Sequence, residues 1–90
     1  MLMITNSSEI AVTVKLFAAY QEAYGVPEII LYFSSSVPVK DILNQILLDH
    51  PELAQWQSVT RFGLNLQFVD ADTLVNDGDE VVLIPPVSGG

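Results

Sequence analysis

The amino-acid sequence predicts a single α+β domain, a roll in which a mixed β-sheet carries its helices on one face. Strand-like stretches with alternating apolar residues occur near both ends of the chain. The helix-like stretches between them do not follow the regular strand and helix alternation of a parallel α/β sheet. The 90 residues are 50% hydrophobic and 16% charged, which is enough apolar material for one buried core.

The N-terminal half of the chain predicts two strands and two helices. Residues 10–17 alternate apolar and polar side chains and indicate a half-buried strand. Residues 18–24 favour a short helix ended by glycine, and residues 28–33 favour a second strand. Pro38 suits the first turn of the second helix, where its missing N–H costs nothing. That helix has the clearest apolar stripe, made of Val39, Ile42, Leu43, Ile46 and Leu47.

The C-terminal half predicts a third strand and a final strand separated by turns. Residues 52–60 around Trp56 are expected to be irregular. Apolar residues then alternate through residues 61–68 as one strand: Phe62, Leu64, Leu66 and Phe68. Residues 73–75 favour a short strand or bridge. Asp77-Gly78-Asp79 is typical of a hairpin turn before the last strand at residues 80–84.

These patterns divide the chain into three parts. Residues 1–9 are expected to form a flexible leader, and residues 10–84 the folded domain. Residues 85–90 are expected to form a flexible tail that ends in Gly-Gly. Pro85 and Pro86 would stiffen the exit from the last strand, and glycine has no Cβ, so the tip could enter a narrow channel.

The charge balance limits the possible partners. Three Lys and Arg residues stand against 11 Asp and Glu residues, a formal net charge of −8. We therefore expect no nucleic-acid binding and no membrane binding, because both depend on cationic contacts. A basic protein partner fits this charge, although solubility alone would also explain it. No secretory signal or membrane-spanning run is visible, so a cytoplasmic location is expected.

Side chains that could perform catalysis are few. The 90 residues contain no cysteine, which excludes disulfides and thiolate chemistry within them. His50 is the single histidine and stands where a helix is expected to end, so a structural role is favoured. The acidic residues between 70 and 80 lack the spacing of a calcium loop, so no metal site is predicted. The best remaining reactive group is the α-carboxylate of Gly90.

The C-terminal third of the chain resembles a known family. Leu64-Asn65, the segment DGDEV at residues 77–81 and the ending PPVSGG at residues 85–90 are similar to the closing signature of the molybdopterin synthase small subunit. The segment VKLFA at residues 14–18 resembles the first strand of that family. The family is a group of ubiquitin-like sulfur carriers, so the resemblance implies a β-grasp fold.

The resemblance also implies a function and its partners. An ATP-dependent activating enzyme would adenylate Gly90, and sulfur would then replace AMP to give a thiocarboxylate. The tail, with Val87, Ser88 and Gly89, would insert into the large synthase subunit, which builds the dithiolene of molybdopterin. An apolar contact with that subunit is implied for five residues: Phe17, Phe68, Ile84, Pro85 and Pro86. No cofactor would be bound by this chain, and ATP would be used by the activating enzyme.

Other functions and one conflict stay open at this point. The same tail would serve a sulfur carrier for thiamine thiazole synthesis or a ubiquitin-like protein modifier. An acidic binding module without chemistry of its own is a further alternative. The conflict concerns Phe68, because strand alternation puts it on the same face as Phe62 and Leu64, toward the core rather than toward a partner.

Overall fold

A computed structural model describes residues 9–86 of the chain. Most of the predicted leader and residues 87–90 of the predicted tail therefore lie outside the described residues. Seven strands, two α-helices and one 3₁₀ helix are described: β1 (Ile10–Leu16), α1 (Ala19–Tyr24), β2 (Glu28–Phe33), β3 (Val37–Pro38), α2 (Lys40–Asp49), the 3₁₀ helix (Pro51–Val59), β4 (Arg61–Leu64), β5 (Gln67–Val69), β6 (Leu74–Val75) and β7 (Glu80–Ile84).

The strands form one large sheet and one small one. The large sheet has five strands in the order β2-β1-β7-β4-β5, and the small sheet pairs β3 with β6. Strands β1 and β7 run parallel, while the other neighbours in the large sheet run antiparallel. The first and last strands of the domain thus lie side by side at its centre, and the prediction of a mixed sheet is confirmed.

One face of the large sheet and both α-helices share a single core. Alternate residues of β1 from Ile10 to Leu16 are buried, as are Val81 and Leu83 of β7. They pack with Tyr20 of α1 and with three buried residues of α2: Ile42, Leu43 and Ile46. The helices therefore cover one face of the sheet, as predicted. No helix among residues 9–86 is long and apolar enough to cross a membrane.

The predicted single strand over residues 61–68 is wrong. The chain reverses at Asn65 and Leu66, whose φ angles are 49° and 73°, and β4 and β5 pair as a hairpin around them. A two-residue turn of this kind needs positive φ at both central positions, which usually selects glycine at the second. Leucine occupies the second position here, so the turn was hidden inside an apparently regular alternation.

The start of the second helix was also predicted too early. Pro38 belongs to β3, where it pairs with Leu74 of β6, and α2 begins at Lys40. The backbone N–H groups of Val39 and Lys40 donate to the carbonyl oxygens of Thr73 and Ala71, at 2.8 and 3.0 Å. These long-range bonds satisfy the free N–H groups at the helix start, so no helical proline is required there.

Three smaller predictions need correction. Residues 51–59 form a 3₁₀ helix with proline at its first turn rather than an irregular segment. The turn at residues 77–79 does not close a hairpin, because β6 pairs with β3 while β7 lies between β1 and β4. Strand β1 ends at Leu16, so Phe17 lies just beyond it. Gly25 ends α1 as predicted, in the left-handed conformation with φ of 75°.

Candidate functional site

An apolar groove lies where the last strand leaves the fold. It has a volume of about 530 Å³, and eight residues line it: Phe17, Ala18, Ala19, Glu22, Trp56, Ile84, Pro85 and Pro86. The Phe17 side chain is 50% exposed, whereas Pro85 is buried and Pro86 is exposed. Pro85 is therefore the last buried residue of the described part of the chain, and the exposed Pro86 borders an apolar surface.

The parallel pairing of β1 and β7 creates this groove. Leu16 and Leu83 are register partners at the ends of the two strands, so the next residues, Phe17 and Ile84, emerge at the same edge. Ala18 follows with φ of 51°, a conformation that non-glycine residues seldom adopt. This turn sends the chain into α1, which supplies the groove's Ala19 and Glu22.

A buried hydrogen-bond relay positions Trp56 in the groove wall. The Thr60 Oγ1 hydroxyl donates to the carbonyl oxygen of Trp56 at 2.8 Å, and it lies 2.5 Å from the Tyr20 hydroxyl. Since the single Thr60 hydroxyl proton points at Trp56, Tyr20 is the donor in the second bond. Burial raises the pKa of Tyr20. The relay joins α1 to the end of the 3₁₀ helix.

A second hollow of about 160 Å³ adjoins the groove on the outer face of the large sheet. Its lining consists of Gly63, Leu66, Gln67, Phe68, Val82 and Ile84. Phe68 is 70% exposed and Leu66 is 89% exposed. A Cβ at Gly63 would come within 3.4 Å of the Val82 Cβ, so the glycine keeps this surface concave. Ile84 belongs to both the hollow and the groove.

The hairpin turn beside the hollow is fixed by Asn65. Its Nδ2 donates to Asp79 Oδ1 at 3.0 Å, and its Oδ1 accepts the Glu80 backbone N–H at 3.0 Å. The Asn65 N–H also donates to the Glu80 carbonyl oxygen at 2.9 Å. Asparagine tolerates positive φ better than most residues, so this position both forms the turn and ties it to β7.

The acidic residues near β7 hold loops together. Asp77 Oδ1 accepts the Ala11 N–H at 2.8 Å, and Asp79 Oδ2 accepts the Asn76 N–H at 2.7 Å. Within residues 9–86, no group of three or more His, Cys, Asp or Glu side chains is arranged to hold a metal ion. The carboxylates of the DGDE segment therefore have a structural explanation.

The two lysines among the described residues are engaged in ion pairs on the surface. Lys15 Nζ lies 2.7 Å from Glu28 Oε1 and 3.7 Å from Glu80 Oε2, and its pKa is raised, chiefly by the hydrogen bond to Glu28. Lys40 Nζ lies 3.0 Å from Asp72 Oδ1, and that hydrogen bond likewise raises the pKa of Lys40. All three pairs are accessible to solvent, so each adds little to stability.

His50 and Tyr24 form a separate contact between α1 and the end of α2. Their rings meet edge to face with centroids 4.5 Å apart, and His50 Nδ1 lies 3.3 Å from Glu52 Oε2. The Tyr24 hydroxyl donates to Asp49 Oδ2 at 3.1 Å. Burial, followed by the hydrogen bond and the negative charge of Asp49, raises the pKa of Tyr24 to about 12. These contacts lie outside the groove and the hollow.

The five residues of the predicted interface all lie in the groove or in the adjoining hollow. Phe17, Ile84, Pro85 and Pro86 line the groove, and Phe68 lines the adjoining hollow that shares Ile84. The conflict over Phe68 is resolved, because the turn before it resets the alternation and Phe68 pairs with Gly63 on the outer face. Val87, Ser88, Gly89 and Gly90 lie outside the described residues.

Trp56 and Leu66 are two large lining residues that the sequence did not assign to the site. Trp56 was placed in an irregular segment, although Pro51 after His50 is a signal for a new helical turn. Leu66 was assigned to the core by its parity with Leu64, and the signal that could have corrected this is Asn65, which favours positive φ in tight turns.

Comparison with known proteins identifies the family. The sequence model of the ThiS family matches residues 14–90. The chain belongs to the ThiS family. A relative in Chlamydomonas reinhardtii, named molybdopterin synthase sulfur carrier subunit, is 38% identical over 82 residues, covering 88% of this chain and 98% of the relative.

Two solved structures at 29% identity have a similar fold. The small archaeal modifier protein 1 from Methanosarcina acetivorans is 29% identical, with a TM-score of 0.71 over 91% of this chain and 98% of that protein. A complex of subunits 1 and 2 of the molybdopterin-converting factor from Helicobacter pylori contains a chain that is also 29% identical. Its TM-score is 0.61 over 90% of this chain and 100% of that one. The predicted β-grasp fold is thus confirmed.

Proposed function

We propose that this chain is the sulfur carrier subunit of a molybdopterin synthase. The observation that carries the proposal is the family match, which extends through the C-terminal signature at residues 77–90. The name of the Chlamydomonas relative supports the same role. The apolar groove beside Pro86 further supports the proposal, because it offers a partner a binding surface next to the start of the tail.

The proposed chemistry takes place at the carboxyl group of Gly90. A carboxylate is a poor electrophile because its oxygen is a poor leaving group. The activating enzyme would therefore transfer AMP from ATP to this carboxylate and release pyrophosphate. Hydrosulfide released by a sulfur donor would then attack the acyl carbon and expel AMP, and loss of the sulfur-bound proton would leave a thiocarboxylate. No cysteine is needed in the carrier, and none occurs in these 90 residues.

The interface with a large subunit is proposed to be the groove and the hollow together. Phe17 and Phe68 are large apolar side chains at 50% and 70% exposure, and exposed apolar patches of this kind often bind partners. The two-subunit complex from Helicobacter pylori supports a large-subunit partner. Val87, Ser88 and Gly89 are proposed to pass through a narrow channel of that partner, where small side chains are an advantage.

A second candidate function is protein modification. The archaeal relative of similar fold is named a modifier protein, and activation of a terminal glycine would serve both roles. The two functions differ in the acceptor of the activated acyl group, which is a sulfur nucleophile in one and an amine of a target protein in the other. Conjugation would appear as larger adducts that survive denaturation.

Removal of Gly90 tests the proposed function. The truncated chain is expected to fold normally but to support no molybdopterin formation in an assay reconstituted from purified proteins. Its control is a Ser8→Ala variant of the full chain, whose change lies in the predicted leader. A truncated chain that supports synthesis at the rate of the control would refute the proposal.

A further inference from the structure

Arg61 differs from the other cations among residues 9–86. Lys15 pairs with two glutamates and Lys40 pairs with Asp72. No carboxylate of these residues lies within ion-pair distance of the Arg61 guanidinium. Arg61 is exposed, and the chain around it carries a net charge of −8. Within the described part of this acidic chain, Arg61 is thus the cationic side chain that forms no ion pair.

The position of Arg61 links it to the apolar surface. In the pairing of β4 with β7 it is the register partner of Ile84, two residues before Gly63, which pairs with Val82. It therefore belongs to the same outer face of the sheet as the hollow. Its guanidinium carbon lies 5.7 Å from the centre of the Phe68 ring, within the range of a cation–π contact. This contact restricts the conformation of the Arg61 side chain before a partner binds.

We propose that Arg61 receives a carboxylate of the large subunit when the two chains dock. This inference rests on the proposed function. The acidic chain favours a basic partner surface, but a basic surface opposite Arg61 would bring like charges together. A cation left without a counter-charge on burial is strongly unfavourable. A single acidic residue opposite Arg61 removes this penalty, and the planar guanidinium holds it in a defined geometry. Arg61 thereby fixes the register of docking.

Charge reversal at Arg61 tests the inference, with reversal at Lys40 as the matched control. Arg61→Glu and Lys40→Glu change the net charge equally, but Lys40 lies at the start of α2, away from the outer face. Thermal unfolding of both variants checks that they are folded. We expect Arg61→Glu to weaken the Kd for the purified large subunit roughly 30-fold or more, as for other buried interface charges. Lys40→Glu is expected to change it less than about threefold.

A compensating change in the partner completes the test. Among Asp→Lys and Glu→Lys variants of the large subunit, one is expected to restore tight binding to Arg61→Glu and to weaken binding of the wild-type chain. Equal Kd values for Arg61→Glu and Lys40→Glu would overturn the inference, as would the absence of any restoring variant. An Arg61→Glu variant that binds the large subunit with the wild-type Kd but supports less molybdopterin formation would also overturn it. If the wild-type chain itself fails to bind the large subunit, the proposed function fails as well.

Discussion

The hydrogen-bond relay beneath the groove predicts an asymmetry between two conservative substitutions. Thr60→Val removes the acceptor of the Tyr20 hydroxyl, and Tyr20 is 0% exposed. The hydroxyl would then be buried without a partner. Tyr20→Phe removes the hydroxyl itself and leaves Thr60 bonded to the Trp56 carbonyl oxygen. Both substitutions delete the bond between Tyr20 and Thr60. Thr60→Val also deletes the bond to the Trp56 carbonyl oxygen and leaves the buried Tyr20 hydroxyl unsatisfied, whereas Tyr20→Phe does neither.

The structure sets the size of the expected difference. An orphaned buried hydroxyl costs about 1–3 kcal/mol, whereas an ordinary hydrogen bond contributes only about 0.5–1.5 kcal/mol. Thr60→Val should therefore destabilise the fold more than Tyr20→Phe. The double variant has no orphaned hydroxyl, so its loss of stability should be smaller than the sum of the single losses by about 1 kcal/mol or more.

Urea unfolding followed by the fluorescence of Trp56 measures these free energies, because this residue is the single tryptophan of the chain and lies in the groove wall. The midpoint and slope of each transition give the free energy of unfolding. The relay and its assigned donor would be refuted if Tyr20→Phe lowered the free energy of unfolding as much as Thr60→Val does and the two losses were additive in the double variant.

Three further predictions concern other parts of the fold. Leu66→Gly should raise the free energy of unfolding by roughly 0.5–1 kcal/mol in urea unfolding, because Leu66 is strained at φ of 73° and 89% exposed; a loss of stability would contradict the strain. Asp77→Ala should lower the free energy of unfolding by about 1 kcal/mol, because the hydrogen bond from the Ala11 N–H is lost. Asp72→Ala removes only an exposed ion pair and should change this free energy by less than about 0.5 kcal/mol. Equal effects of the two substitutions would contradict a stabilising role of the bond between Asp77 and Ala11. Tyr24 should ionise near pH 12, two units above an ordinary tyrosine. Below pH 10 this group leaves stability unchanged, and between about pH 10 and 12 stability should fall because the tyrosine ionises first in the unfolded chain. Ultraviolet titration should show a lower Tyr24 pKa in Asp49→Asn than in the wild-type chain, and no ionisation step near pH 12 in Tyr24→Phe. A Tyr24 pKa in Asp49→Asn equal to that of the wild-type chain would contradict Asp49 as the partner.

Local pattern was sufficient for the central elements of the fold. The alternation in β1 and the apolar stripe of α2 each report which side chains meet the core, because a buried face requires that spacing. The elements that were misplaced depend on distant partners instead. Pro38 lies in a strand because Leu74 pairs with it, and the helix after it starts late because residues 71–73 satisfy its first N–H groups. No local pattern contains that information.

The candidate site was predictable only in part, for a similar reason. Phe17 and Ile84 were found through the family resemblance, and their meeting depends on the parallel pairing of two strands that are far apart in sequence. Leu66 was missed because it lies in the two-residue turn, which pairs Leu64 with Gln67 and Gly63 with Phe68 and so exchanges the faces of odd- and even-numbered residues after it. The role proposed for Arg61 has no sequence signal, since it rests on the absence of an ion pair to Arg61 within residues 9–86 and on the Phe68 ring, whose centre lies 5.7 Å from the guanidinium carbon.

The intact mass of the chain tests its proposed role most directly. The full chain would be incubated with the activating enzyme, ATP and a sulfur donor, and its Gly90-deleted form would be treated in parallel. We predict that the full chain gains the mass of one oxygen-to-sulfur exchange, that fragmentation assigns the gain to Gly90, and that the deleted form gains none. An unchanged mass of the full chain, under conditions in which the same enzyme sulfurates a known carrier, would contradict the account.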